Sequence, residues 1–158
     1  MNRPFLLAGL LLLLPLETAI AVDNIHISPV IGCDYSHPQG ASVPIGILLK
    51  GLWGVKYDAS TGLLLQLEPG QNAQKMNIGL GALYTDGQIP GSWSIRFSVL
   101  QTTNNFANID SGQTYLGAEL AGSMLWLGGR FGIYAHVGGE KHDAPIVFLS
   151  IGAGSGFP

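Results

Sequence analysis

Beyond about residue 20, the chain is a series of short segments in which every second residue is apolar, with glycine and turn residues between them. In the segment 93–99, WSIRFSV, large apolar residues occupy the odd positions, and serine and arginine occupy the even ones. Successive side chains of a strand point to opposite faces, so this segment predicts a strand with one apolar and one polar face. The recurrence of this pattern predicts an all-β fold.

The pattern predicts eight strands. Strands of about ten residues match the thickness of a bilayer, and an even strand count is typical of bacterial outer-membrane barrels. Closure of the sheet would also satisfy every backbone group in lipid. We therefore predict an eight-stranded antiparallel up-and-down transmembrane β-barrel. Its strands are expected near 24–34, 43–57, 62–68, 75–85, 93–99, 113–123, 126–137 and 146–157.

The N-terminus has the features of a secretory signal peptide. Arg3 supplies a positive charge, and Phe5 to Leu16 form an apolar region that is too short to span a bilayer. Small residues at Ala19 and Ala21 fit the positions that a signal peptidase reads. We expect cleavage after Ala21, so that residues 1–21 are a signal peptide and residues 22–158 form one domain.

The composition is unusual for a soluble domain. Hydrophobic residues make up 47% of the chain and charged residues only 11%, against roughly 25% charged in a typical soluble domain. The net charge of -3 comes without a basic cluster, which argues against nucleic acid as a partner. The single cysteine, Cys33, excludes an intrachain disulfide.

Aromatic residues cluster at one end of the predicted strands. If the N-terminus lies in the periplasm, five of them fall at periplasmic strand ends. Tyr and Trp prefer the membrane–water boundary because their rings are amphipathic. These residues therefore predict a periplasmic aromatic belt: Tyr57, Tyr84, Trp93, Trp126 and Phe157.

The last predicted strand, 146–157, alternates apolar residues and carries the aromatic Phe157 next to the chain end. With this segment and the barrel pattern, the chain resembles the small eight-stranded outer-membrane β-barrel proteins of Gram-negative bacteria. The resemblance implies an outer-membrane location, contact with outer-membrane lipid, and recognition of the C-terminal strand by the barrel-assembly machinery. The protein is expected to be a monomer, with an unknown loop partner.

Three charged residues on the polar face are predicted to lie at similar depth inside the barrel. They are Arg96, Glu119 and Arg130, with Glu119 between the two arginines. An eight-stranded barrel is just wide enough to be filled by side chains, and buried charges must be paired. We expect this cluster to plug the lumen. The alternative is a narrow, porin-like constriction that admits water or small ions.

Two other polar groups suggest chemistry only weakly. His26 and Ser28 share one face of the first strand, but no carboxylate is placed to orient the histidine, so we assign no catalytic residue. In the last loop, imidazole and carboxylate side chains are close in sequence, although their spacing matches no metal motif. We predict neither a metal site nor a cofactor, and leave metal binding by this loop open: His136, Glu140, His142 and Asp143.

The sequence leaves three functional hypotheses. The first is a non-enzymatic outer-membrane barrel with a structural, adhesive or interaction role through its extracellular loops. The second is a soluble periplasmic lipocalin-like barrel that encloses a hydrophobic ligand. The third is a lipid-modifying barrel enzyme that depends on His26 or His136. Four side chains would point outward in the first hypothesis and inward in the second: Trp93, Ile95, Phe97 and Val99.

Overall fold

The computed structural model describes residues 20–22, 25–51, 59–84, 89–106, 109–139 and 144–155. Within them the chain forms ten β-strands. The part of the chain that is described contains no helix long and apolar enough to cross a membrane. The strands are β1 (Ile20–Val22), β2 (Ile25–His37), β3 (Gly40–Ser42), β4 (Ile45–Lys50), β5 (Ala59–Pro69), β6 (Ala73–Tyr84), β7 (Gly91–Thr102), β8 (Thr114–Met124), β9 (Leu127–Gly138) and β10 (Ile146–Ser155).

All of these strands belong to one sheet, which confirms the predicted all-β class. Nine follow the order β1-β2-β10-β9-β8-β7-β6-β5-β4, β3 pairs with β2, and a further pairing of β2 with β4 closes the sheet into a ring. Every pairing is antiparallel. Within the described residues, the closed circuit consists of eight strands. β4 to β10 follow one another in sequence order, and β2 lies between β10 and β4.

The strands are strongly tilted relative to the axis of the ring. A path of directly paired residues that leaves β2 at Ile27 returns to β2 at His37 after one circuit. A stagger of ten residues over eight strands corresponds to a tilt of about 40° at normal strand spacings. Side chains from strands distant in the sequence therefore meet at one level inside the ring.

The ring has two different ends. The end where β2 meets β3 and β7 precedes β8 is called the loop end here, and the end with Ile25 and Ser155 is called the terminal end. Residues 35–42, which connect the predicted strands 24–34 and 43–57, are mostly strand, because Tyr35 to His37 continue the alternation of β2 and 40–42 form β3. The chain reverses at Pro38 and Gln39, and Gly40 follows with φ 76°, a conformation that favours glycine.

The second predicted strand, 43–57, starts two residues later in the structure, at Ile45. β3 and β4 pair with β2 in one continuous register but are separated by Val43 and Pro44. Proline has no N–H to donate to the ladder, and here only the Pro44 carbonyl takes part, accepting a 3.0 Å bond from Gly32 N. The remainder of this prediction, 52–57, lies outside the described residues, as do most of the predicted signal peptide and Phe157.

Polar side chains fill the middle of the ring, and apolar side chains cover its outside. Each described strand of the circuit turns its alternate apolar residues outward, including Trp93, Ile95, Phe97 and Val99. Two apolar clusters lie inside, on either side of the polar layer. The cluster at the terminal end is Val30, Leu48 and Leu64, and the one at the loop end is Ala73, Leu100, Tyr115, Tyr134, Ile146 and Phe148.

Candidate functional site: the charge network inside the ring

Six charged side chains from six strands meet in the middle of the ring. Three are acids and three are bases, so the set is formally neutral. All six are buried, although charged residues are almost never fully buried unless they are paired. We call them the charge network: Asp34 on β2, Glu68 on β5, Lys75 on β6, Arg96 on β7, Glu119 on β8 and Arg130 on β9.

Glu68 is the most highly connected acid of the network. Its carboxylate accepts two hydrogen bonds from the guanidinium of Arg130, at 2.5 and 2.7 Å, and one from the Ser42 hydroxyl at 2.8 Å. The ammonium of Lys75 lies 3.1 Å from Glu68 Oε2. Since β5 and β9 are not neighbours in the sheet, the Glu68–Arg130 pair crosses the interior and joins two sides of the ring.

Glu119 forms a second centre. It accepts a 2.8 Å bond from Lys75 Nζ and a 2.5 Å bond from the Tyr134 hydroxyl. Lys75 therefore bridges Glu119 and Glu68, and its ammonium also lies 3.8 Å from the centre of the Phe148 ring. An ammonium over an aromatic face is attracted by the ring quadrupole, so Phe148 contributes to holding Lys75 in place.

Arg96 and Arg130 have different surroundings. Arg96 donates from Nε to the Ser94 hydroxyl and from Nη1 to Gln66 Oε1, both at 2.7 Å, and it lies directly opposite Glu119 in the register of β7 and β8. Arg130 forms an ion pair with Asp34 in addition to its bonds to Glu68. Its Nη1 is 3.9 Å from Glu119 Oε2, a looser contact.

Two glycines make room for these side chains. Gly79 faces Arg96 across β6 and β7, and a Cβ at Gly79 would lie 2.1 Å from the carbonyl oxygen of Ile95. Gly132 faces Glu119, where a Cβ would come within 2.8 Å of the Glu119 side chain. A Cβ is therefore excluded at Gly79 by the main chain of β7 beside Arg96, and at Gly132 by the Glu119 side chain.

The structure places the three predicted lumen residues together inside the ring, but their partners differ from the sequence prediction. Arg96 and Glu119 are neighbours, as predicted. Arg130 lies opposite Ala121, two residues from the position that pairs with Glu119 in the register, and forms its ion pairs mainly with Glu68 and Asp34. The position of the turn accounts for this difference. Met124 pairs with Leu127, so the turn is centred one residue later than the predicted strands 113–123 and 126–137 imply, and Arg130 moves by two residues in the register.

Sequence reasoning missed Asp34, Glu68 and Lys75 as members of the network. One signal was present: a hairpin that turns at 70–72 places Glu68 directly opposite Lys75. Asp34 shares the inward face of β2 with buried Ser36, but no local pattern indicates that it meets Arg130.

Three of the five predicted belt residues are described, and all three lie near the terminal end. Trp93 and Tyr84 face outward on neighbouring strands, and the indole Nε1 of Trp93 donates a 2.6 Å bond to the Tyr84 hydroxyl. Trp126 is exposed at the turn between β8 and β9. Tyr57 and Phe157 lie outside the described residues.

The weaker candidates are not assembled into a site within the described residues. His26 lies opposite Lys50, and Ser28 lies opposite Leu48, at the terminal end of β2. His136 Nε2 is 2.8 Å from Gln113 Oε1. Residues 140–143 are outside the described part of the chain, which holds no group of three His, Cys, Asp or Glu residues placed to bind a metal.

Comparisons of the chain with family models, with curated proteins and with solved structures find no match. The network crosslinks six strands and fills the middle of the ring with paired charges. Removing one partner of a buried ion pair typically costs about 3–5 kcal/mol, so this network has a large influence on the stability of the ring.

Proposed function

We propose that this protein is a non-enzymatic β-barrel of the bacterial outer membrane. It would have a structural, adhesive or interaction role through the loops at its loop end, which would face outside the cell. The observation that carries the proposal is the inverted distribution of side chains. Charged residues are buried in the ring, whereas Phe97 and Ile151 on its outer face are each 69% exposed. Such a surface is stable in lipid, while in water it would promote aggregation.

The absence of charged side chains from the described outer face also supports the proposal. Within the described strands, no outward position carries Asp, Glu, Lys or Arg. A charged side chain at the middle of the lipid face would cost about 2–4 kcal/mol for Arg or Lys. The absence of such residues from every described outward position is the pattern expected of a membrane-spanning sheet.

The height of the apolar band fits a membrane. Outward apolar residues on β9 run from Leu127 to Val137. At a tilt of about 40°, these eleven residues span roughly 25 Å along the axis of the ring. Barrels of the outer membrane have an apolar band about 25 Å tall, with aromatic residues at its borders. Tyr84 and Trp93 lie at such a border, near the terminal end.

The charge network supports a plugged lumen. Arg96 and Glu68 are both 0% exposed, and the three acids and three bases of the charge network leave no net charge in the middle of the ring. A neutral, packed layer of this kind blocks the passage of ions. The interior would therefore stabilise the barrel, and the loops would make the contacts with partners.

The lipocalin-like alternative requires Ile95 and Phe97 to point inward, and their outward orientation does not favour it. The enzyme alternative would need His26 or His136 for activity. His136 lies beside Gln113 and forms an edge-to-face contact with the Tyr115 ring, with a distance of 5.3 Å between ring centres. These contacts give His136 a role in packing.

Membrane fractionation followed by gel electrophoresis with and without boiling tests the proposal. The full chain should occur in the outer-membrane fraction and migrate as a compact band unless it is boiled. The same experiment on the Ile95→Arg variant should show loss of the compact band, with Ile95→Leu as the matched control. A soluble periplasmic protein without a heat-dependent shift would overturn the proposal.

A further inference from the structure

The outer face of the ring carries an apolar groove. It lies on the opposite side of the sheet from the charge network that would plug the lumen. It has a volume of about 770 Å³, within the range of small-molecule sites, and it crosses the strands from β4 to β8. Two rows of outward side chains form its walls. Ile45, Leu67, Met76, Val99 and Leu116 line the wall toward the loop end, and Ile47, Leu65, Ile78 and Phe97 line the other.

The floor of the groove is main chain. It consists of five residues that lie opposite one another in register, and the side chains of Gln66, Asn77 and Ser98 are buried inside the ring. The backbone polar groups of the floor are engaged in the sheet, so an occupant meets an apolar surface. The five floor residues are Gly46, Gln66, Asn77, Ser98 and Gly117.

Two exposed amides border the groove on the side of the loop end. Gln74 is the next outward residue beyond Met76 on β6, and Gln101 is the next beyond Val99 on β7. They lie opposite each other, and Gln74 Nε2 donates a 2.9 Å bond to Gln101 Oε1. This bond fixes both side chains and leaves the Gln74 carbonyl and the Gln101 amide nitrogen with hydrogen-bonding capacity for a ligand.

The surface around the two amides is polar and nearly uncharged. Asn104 lies in the same region, where its Nδ2 donates a 2.7 Å bond to the Gln71 carbonyl. Among the described residues of 69–74 and 101–114, Asp110 alone carries a charge. A phosphate-bearing headgroup would find no Lys or Arg there, whereas the hydroxyl groups of a sugar match amide donors and acceptors.

We propose that the groove and its amide border bind one membrane lipid with an uncharged, hydroxyl-rich headgroup. An acyl chain would lie along the groove, and a sugar headgroup would hydrogen-bond to Gln74 and Gln101. This inference rests on the proposed membrane location, since both parts of the site face outward. It adds lipid selectivity to a surface that would otherwise only be covered by bulk lipid.

Native mass spectrometry of the full chain released from lipid nanodiscs tests this site. The nanodiscs contain phosphatidylcholine as bulk lipid, with equal amounts of a galactosyl diacylglycerol and a phosphatidylglycerol that have identical acyl chains. We expect one galactolipid per chain to be retained, with a preference of about five-fold, the factor that one net hydrogen bond provides. Each variant is first checked for the compact unboiled band, so that misfolding is not mistaken for lost binding.

Two variants separate the headgroup from the groove. Gln74→Leu combined with Gln101→Leu should abolish the galactolipid preference, and Thr103→Leu, an exposed residue of the same end, is its control. Leu116→Trp should fill the groove and reduce retention of both lipids. Val147→Trp on the outer face of β10, outside the groove, should behave as the wild type.

The outcomes distinguish this inference from the proposed function. Equal retention of the two lipids by the wild-type chain, or a preference that survives the double Gln→Leu change, would overturn the lipid site alone. Unaltered retention in Leu116→Trp would also overturn it. Failure of the wild-type chain to insert into nanodiscs would overturn the membrane proposal, and the lipid site with it.

Discussion

The inner and outer faces of this sheet have opposite compositions, although the same strands form both. On β7, Ile95 and Phe97 face outward and are 49% and 69% exposed, while Arg96 between them is 0% exposed. In a water-soluble protein the apolar side chains would face inward and the charged one outward. The reason is that burying an unpaired charge costs far more free energy than burying an apolar side chain gains. The interior is therefore organised by the pairing of charged side chains. The described outer face is organised by the absence of charged side chains, which would need a partner.

The largest effect is expected from breaking the interior. Glu68→Ala removes one of the two acids that pair with Arg130 and one of the two acids beside Lys75. It should lower the free energy of unfolding by about 3–5 kcal/mol, the usual cost of an uncompensated buried charge. The measurement is the urea midpoint at which the compact unboiled band disappears in lipid vesicles.

The matched control for this change removes a cation as well. Glu68→Met with Lys75→Met keeps the interior neutral, because Asp34 still pairs with Arg130 and Glu119 still faces Arg96. It should lose much less stability than Glu68→Ala. If the single and double variants were equally destabilised, charge pairing would not be what organises the interior.

The sequence predicts the sides of the strands better than the partners across the ring. Alternation along 93–99 is local, so the inward position of Arg96 and the outward position of Phe97 could be predicted from it. The Glu68–Arg130 pair could not, because it depends on the ten-residue stagger that accumulates around the circuit. The break at Val43 and Pro44 was also missed, since the apolar alternation continues through a proline that interrupts the ladder.

A charge on the outer face should have the next largest effect. Ile95→Arg places a cation in the apolar band and should destabilise the folded protein by about 2–4 kcal/mol. Folding yield in vesicles, read from the compact band, measures it. Gln101→Arg, on the same face of β7 but beyond the last apolar residue of the strand, is the matched control and should fold normally. Equal yields for both variants would argue against a lipid-facing β7.

Filling the space beside Arg96 should have a moderate effect. Gly79→Val puts a branched side chain where even a Cβ would contact the Ile95 carbonyl, so we expect a loss of about 1–3 kcal/mol. Gly122→Val is the comparison, since a Cβ there comes no closer than 3.8 Å to Ser92 O. Urea titration in vesicles should separate the two variants, and identical midpoints would contradict the tight packing around Arg96.

The smallest effect is expected at the aromatic border. Tyr84→Phe deletes the acceptor of the Trp93 indole N–H and should cost about 1 kcal/mol. The urea midpoint would fall slightly, and the emission of the indole would change because its N–H loses this partner. Tyr35→Phe, an exposed tyrosine near the loop end, is the control. If Tyr84→Phe and Tyr35→Phe gave the same midpoint and emission, the bond would not contribute to the border.

The most direct test of the inverted arrangement is spin-label accessibility along β7. Single cysteines at 93, 95, 97, 99 and 101, in a Cys33→Ser background, carry the label in the full chain reconstituted into vesicles. We expect high collision rates with oxygen and low rates with a water-soluble nickel complex for labels at 95 and 97. At 101 we expect low rates with oxygen and high rates with the nickel complex. Low collision rates with both reagents at 95 and 97 would place these side chains inside a packed core and contradict the account.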